Sequence, residues 1–228
     1  MLISESVTPS ESTDPVEAFS DHSAQLRALR SLVACLAEWD DGYSRRLEEA
    51  IDAEMSDGCD FEIDHVGLAI HGMEFVHVAQ CLAFITTISA FVESLFKECL
   101  PAMLRRFEGS YHDDHPRIQQ YGAASRSFWD PTKPEAKGVK VATRISDILE
   151  ASGLIQYMIP DFTRVLDAIF KYRNQMIHNG FEWSPVERKN FASTIQKEGW
   201  SEWFCVSTVD EDPWYFTLTG TFRKACLE

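Results

Sequence analysis

Between Asp64 and Phe107, apolar side chains recur at three–four spacing: Val78, Leu82, Ile85, Val92, Leu95 and Cys99. A second stripe, Phe84, Ile88 and Phe91, widens that face. A helix that is apolar on most sides has to be buried on most sides. The segment therefore predicts a long central helix around which the rest of the chain packs. Pro101 is a point where it can kink or end, because the ring removes a donor and crowds the preceding turn.

Helical spacing continues on both sides of that segment. Leu26, Leu29, Val33, Leu36, Leu47 and Ile51 predict one amphipathic helix over 23–55, or two joined near Asp40-Asp41-Gly42, closed by Asp57-Gly58. A helix over 140–152 stops at Gly153. Another starts after Pro160 with Asp161 as N-cap, and turns Phe162, Val165, Leu166, Ile169, Phe170 and Met176 inward. Gly180 ends it, Pro185 prevents its resumption, and a short helix covers 185–197.

The pattern then changes to period two. Residues 203–209 and 214–219 flank Asp210-Glu211-Asp212-Pro213, which reads as a β-hairpin with a four-residue turn. A lone hairpin is marginal in water, so it lies against the helices or pairs with another chain. The expected architecture is all-α, a bundle of four to five helices with a small C-terminal β-hairpin. Residues 1–22, rich in Ser, Thr, Pro and acids, read as a disordered segment. Residues 23–183 read as the helical domain, and 184–228 as a helix-plus-hairpin appendage.

No run of eighteen apolar residues suggests a membrane span, and the first twenty residues lack the basic-then-apolar order of a secretory signal. Six cysteines (Cys35, Cys59, Cys81, Cys99, Cys205, Cys226) show no C-x-x-C pairing. They suit a reduced, cytoplasmic protein without structural zinc. The net charge of −15 argues against a broadly nucleic-acid-binding surface. It is unevenly spread, however: 1–64 holds sixteen acids and four bases, whereas 105–144 holds eight bases and five acids. That basic middle suits a solvated loop or a confined RNA-contact zone.

Chemistry concentrates in Tyr172-Arg173-Asn174-Gln175-Met176-Ile177-His178-Asn179-Gly180. Arg173 offers a planar fork of donors for a phosphate, and His178 can move a proton near neutral pH. Asn174 and His178, four apart, share a helix face, while Arg173 is offset from His178 by about 140° and its stem must swing round. His178 falls in the last turn, where the helix dipole favours cationic side chains.

Other constellations are poorer. Glu74-Phe75-Val76-His77 is a single E-x-x-H, the unit that di-iron bundles use twice. His112-Asp113-Asp114-His115 reads as a polar loop within the irregular stretch 109–134. Neither a Gly-rich phosphate loop nor a nucleophile elbow is present.

The Arg173-Asn174…His178 pattern at the end of a late helix resembles the HEPN superfamily of all-helical domains. The hallmark of that superfamily is an Arg, four to six residues, then His, often with Asn directly after the Arg. Arg105 and Arg106 also stand at that distance from His112, but those matches cross Gly109 and lack the Asn. The long preceding helices and Phe91-Val92-Glu93-Ser94-Leu95-Phe96 extend the resemblance over 23–183.

The resemblance implies a metal-independent endoribonuclease that uses no cofactor and acts as a homodimer, with two copies of the motif in one cleft. Arg173 then holds the scissile phosphate, His178 assists 2′-OH attack or protonates the leaving oxygen, and Asn174 orients either group. Glu93 either lines that cleft or pairs with Lys97 along its own helix. A toxin–antitoxin or anti-phage setting, with an antitoxin or effector protein as partner, is likewise what the resemblance implies. The alternative is a non-catalytic helical dimerisation module.

Overall fold

The long apolar segment forms one helix of 45 residues, Asp64–Glu108. The computed structural model describes residues 15–56, 64–108, 119, 122 and 139–228. In chain order the helices are α1 (Pro15–Asp41), α2 (Tyr43–Ser56), α3 (Asp64–Glu108), α4 (Val141–Ser152), α5 (Phe162–Asn179) and α6 (Pro185–Lys197). The hairpin strands β1 (Phe204–Val209) and β2 (Asp212–Leu218) follow, then a closing helix α7 (Gly220–Ala225). The described residues are mostly helical, with one antiparallel two-stranded hairpin among them. The stretch 109–134, expected to be irregular and carrying the His-Asp-Asp-His run, lies outside the described residues apart from 119 and 122, which are helical.

Val78, Cys81, Phe84, Ile85 and Ile88 of α3 are all buried. By length and hydropathy alone, Ile70–Phe96 would pass as a membrane span. In this fold the buried third of it is the core against which the other elements pack. Pro101 does not end α3; the helix runs on to Glu108. A proline forfeits one ladder bond, and a helix this long carries that loss.

The first helical segment divides at Gly42, whose N–H reaches Glu38 O and Trp39 O, both at 3.2 Å. Helix α1 starts at Pro15 rather than Ser23, so residues 15–22 of the expected disordered lead-in are helical, and residues 1–14 lie outside the described residues. Proline suits a first helical turn, where its missing donor costs nothing. His22 is consequently buried, with its ring 6.1 Å from Phe91 of α3.

Helix ends follow local chemistry. Gly153 closes α4 at φ 73° with its N–H on Glu150 O and Leu149 O. Gly180 closes α5 at φ 68°, ψ −146°, a conformation open in practice only to glycine. Ser184 caps α6 by accepting the Glu187 N–H. Asp161 stands at the N-cap of α5 but its side chain makes no capping bond. Its carboxylate is drawn 3.3 Å from Arg164 Nη1 instead.

The C-terminal part is not an appendage. Trp183 stacks on Phe216 (5.1 Å, 17°), Phe191 meets Phe204 and Phe216 edge-on, and Tyr172 of α5 lies among them. Buried residues of α1, α3, α4, α5, α6, the hairpin and α7 belong to one core cluster, which runs across the expected boundary at 183/184. Aromatic rings of this size need a partner surface from several elements, and the hairpin supplies it.

The hairpin turn is tighter than its composition suggests. Val209 pairs with Asp212, leaving a two-residue turn of Asp210 and Glu211, at φ 51° and 68°. Two positive φ values match the twist of the flanking strands, but L side chains disfavour them. Replacing Asp210-Glu211 by Asn-Gly is expected to raise stability by about 1 kcal/mol, read as an upward Tm shift of about 2–4 °C. An unchanged or lower Tm would mean that this turn is not formed in solution. Further along, a register shift between Val206 and Thr208 is filled by Ser207, whose Oγ accepts the Tyr215 N–H at 3.0 Å.

Candidate active site

Helix α5 has two chemically opposed faces. Val165, Leu166, Ala168, Ile169, Phe170, Tyr172 and Met176 are buried, whereas Asn174 and His178 are exposed and Arg173 is half-buried. Tyr172 is an anchor that its polar neighbours in the sequence conceal. It is fully buried, and its hydroxyl donates to Phe216 O at 2.6 Å, tying α5 to the hairpin one residue before Arg173.

Arg173 is held from two sides. Its Nη1 donates to Glu93 Oε1 of α3 at 2.5 Å, and its Nε and Nη2 both donate to Asn174 Oδ1, at 3.3 and 3.2 Å. The guanidinium also sits 5.3 Å from the Phe170 ring centre. The bonds to Asn174 draw the fork toward that neighbour, while the Phe170 contact holds it on the turn before. Glu93 thus joins the cluster across eighty residues of chain. The side chain of Lys97, its other candidate partner, lies outside the described ones.

One turn on, His178 makes no hydrogen bond or ion pair among the described residues and is exposed. Beside it Asn179 Nδ2 donates to Gln175 Oε1 at 2.8 Å, and Gln175 Nε2 to Glu187 Oε2 at 3.3 Å. That chain of amides fixes the α5 end against α6. Trp183 adds its indole N–H to Gly180 O at 2.9 Å. The site therefore offers one immobilised cation and one open imidazole on a rigid helix end. The geometry suits holding an anion and moving a proton beside it.

Among the described residues, no three His, Cys, Asp or Glu side chains are placed to share an ion. The Tyr43 hydroxyl bonds Glu74, while His77 Nε2 lies 3.4 Å from Asp40 Oδ1. The other oxygen of Asp40, Oδ2, accepts from the buried Arg223, which also donates to Leu218 O at 2.9 Å.

Burial pushes the His77 imidazole below its usual pKa, with Glu74 pulling the other way. The folded state therefore favours neutral His77, and as pH falls the unfolded chain takes up the proton first. Stability from this group is complete above the ordinary value of 6.5 and is lost as pH drops from there through the lower folded value. Urea midpoints should fall between pH 7 and pH 5, and His77→Gln should flatten that slope. An equal slope in both proteins would remove His77 as the cause.

The chain matches no family model, no curated protein and no solved structure. Geometry carries the site alone. It brings Arg173, Asn174 and Glu93 into contact and leaves His178 on the adjoining exposed turn. The described cysteines, Cys35, Cys81, Cys205 and Cys226, stay outside this cluster. Cys35 and Cys205 are exposed, and Cys81 is buried under the Leu218 N–H, its thiol pushed up to about 12 by burial.

Proposed function

We propose that this chain is a metal-independent endoribonuclease of HEPN type. It acts as a cytoplasmic homodimer, as the RNA-cleaving effector of a toxin–antitoxin or anti-phage system. The observation that carries the reading is the Arg173 fork, braced by Glu93 and Asn174 at one end of α5 with His178 open beside it. Such a fork binds a phosphodiester through two parallel charge-assisted bonds and stabilises the charge that builds on its oxygens.

In this mechanism the 2′ oxygen attacks phosphorus and the bond to the 5′ oxygen breaks, leaving a 2′,3′-cyclic phosphate. One His178 takes the 2′-OH proton, and the partner's His178 supplies a proton to the departing 5′ oxygen. Two motifs facing one cleft provide both roles. No water or metal enters the cleavage step. Glu93 acts as a positioning residue through Arg173.

The direct test incubates purified protein with total RNA in EDTA and maps the fragment ends, alongside sedimentation analysis of the protein. Cyclic phosphate ends produced by a dimer are the expected result. A dimer that leaves RNA intact rejects the reading in favour of a non-catalytic helical interaction module. One observation favours that alternative: Arg173 Nη1 is already engaged by Glu93 at 2.5 Å, as in a structural ion pair.

A further inference from the structure

We infer that a groove beside Asn174, between α4, α5 and α6, carries the phosphate backbone of a single-stranded stretch of the substrate. This inference rests on the ribonuclease reading and specifies the form of RNA that the site accepts. The groove encloses about 530 Å³ and has Lys140, Arg144, Lys171, Asn174, Lys197 and Trp200 in its lining. Asn174 belongs to both the groove and the Arg173 cluster, so a strand lying here continues into the motif.

Charge selects an anion. The chain carries −15 overall, yet four cations line this one cleft against two acids, Asp167 and Glu198. Asp167 is already taken by Lys140 at 2.7 Å. Arg144, Lys171 and Lys197 have no carboxylate partner among the described residues. Both orphaned polar atoms in the lining are donors: Arg144 Nε and Trp200 Nε1 are buried without an acceptor, and Trp200 is only 2 % exposed. A ligand that supplies acceptor oxygens and negative charge together matches all four side chains, Arg144, Lys171, Lys197 and Trp200, and a run of phosphodiesters does so in series.

Shape selects one strand. A positively charged cleft tracks a single backbone, whereas duplex RNA is read across its wide, shallow minor groove. The aromatic rings here, Phe170 and Trp200, are both buried in the core and present no face for a base to stack on. Contact is thus to phosphates, and recognition along this groove is independent of sequence. Only Lys140 and Arg144 fall in the basic middle of the chain; Lys171 and Lys197 join them through the packing of α5 and α6 on α4.

The test uses the full chain, a fluorescein-labelled single-stranded oligoribonucleotide, its duplex form and a dinucleotide substrate. Lys171→Ala/Lys197→Ala changes two exposed side chains and should leave Tm unchanged. Measured by anisotropy in the His178→Ala background, the pair should make the salt dependence of single-strand binding shallower by about 1.4 in log–log slope, about 0.7 per lost contact. In the active protein it should raise KM for the long strand with kcat kept, and leave dinucleotide cleavage alone.

Unchanged slope and KM in an enzyme that still cleaves would overturn the groove and spare the ribonuclease reading. So would equal or tighter binding of the duplex. A wild-type protein that neither binds nor cleaves any of the three RNAs overturns both.

Discussion

His178→Ala is expected to slow RNA cleavage by about 10²–10⁴-fold, the usual contribution of one positioned acid–base group. The same change should leave Tm where it is, because His178 is exposed and makes no bond within the chain among the described residues. Arg173→Ala should cost a comparable factor. It should also lower Tm, since it strips Glu93 of its Arg173 contact. Arg173→Lys separates the two roles: it keeps the charge near Glu93 but loses the planar fork, so stability recovers more than activity does. Initial rates on one RNA, set beside thermal unfolding of each variant, check all three. Full activity in His178→Ala would remove the imidazole from the chemistry and with it the proposed mechanism.

Tyr172→Ala should be the most damaging single change to stability. The ring is fully buried and touches Trp183, Phe191 and Phe204, with centroids 5.3 to 6.2 Å apart. Truncating a buried aromatic side chain leaves a cavity and costs about 3–5 kcal/mol. For a chain of this length that lowers Tm by about 6–20 °C. Tyr172→Phe keeps the packing and loses only the hydroxyl's bond to Phe216 O, a cost of about 1 kcal/mol. A large loss in the alanine variant with a small one in phenylalanine would show that packing stabilises this position more than the hydroxyl does. Near-equal losses would assign the effect to the hydrogen bond. Because Arg173 follows directly on the chain, the alanine variant should lose activity below its own unfolding temperature as well.

Helix boundaries were legible where the chemistry is local. Gly153, Gly180 and Pro185 act within a turn of themselves, and the helices end or start there. The same locality misled where a neighbouring group competed. Asp161 has the right residue type for a cap, but Arg164 takes its carboxylate. Asp210-Glu211 carries no glycine to announce a two-residue turn, yet the pairing of Val209 with Asp212 imposes one. Tyr172 sits inside the polar motif by sequence, and only the aromatic cluster around it shows that it belongs to the core.

From its sequence alone this chain was bound to be helical, built on the 64–107 segment, with Arg173, Asn174 and His178 at one helix end. Backbone preference and three–four spacing act over a few residues and need no knowledge of the rest. Tertiary structure alone decided that Glu93 meets Arg173, that Lys171 and Lys197 open onto one groove with Arg144, and that the hairpin completes the core. Those contacts join residues tens of positions apart. Which of many compatible surfaces meet is set by how the apolar faces close over one another, a property of the whole chain and of no segment within it.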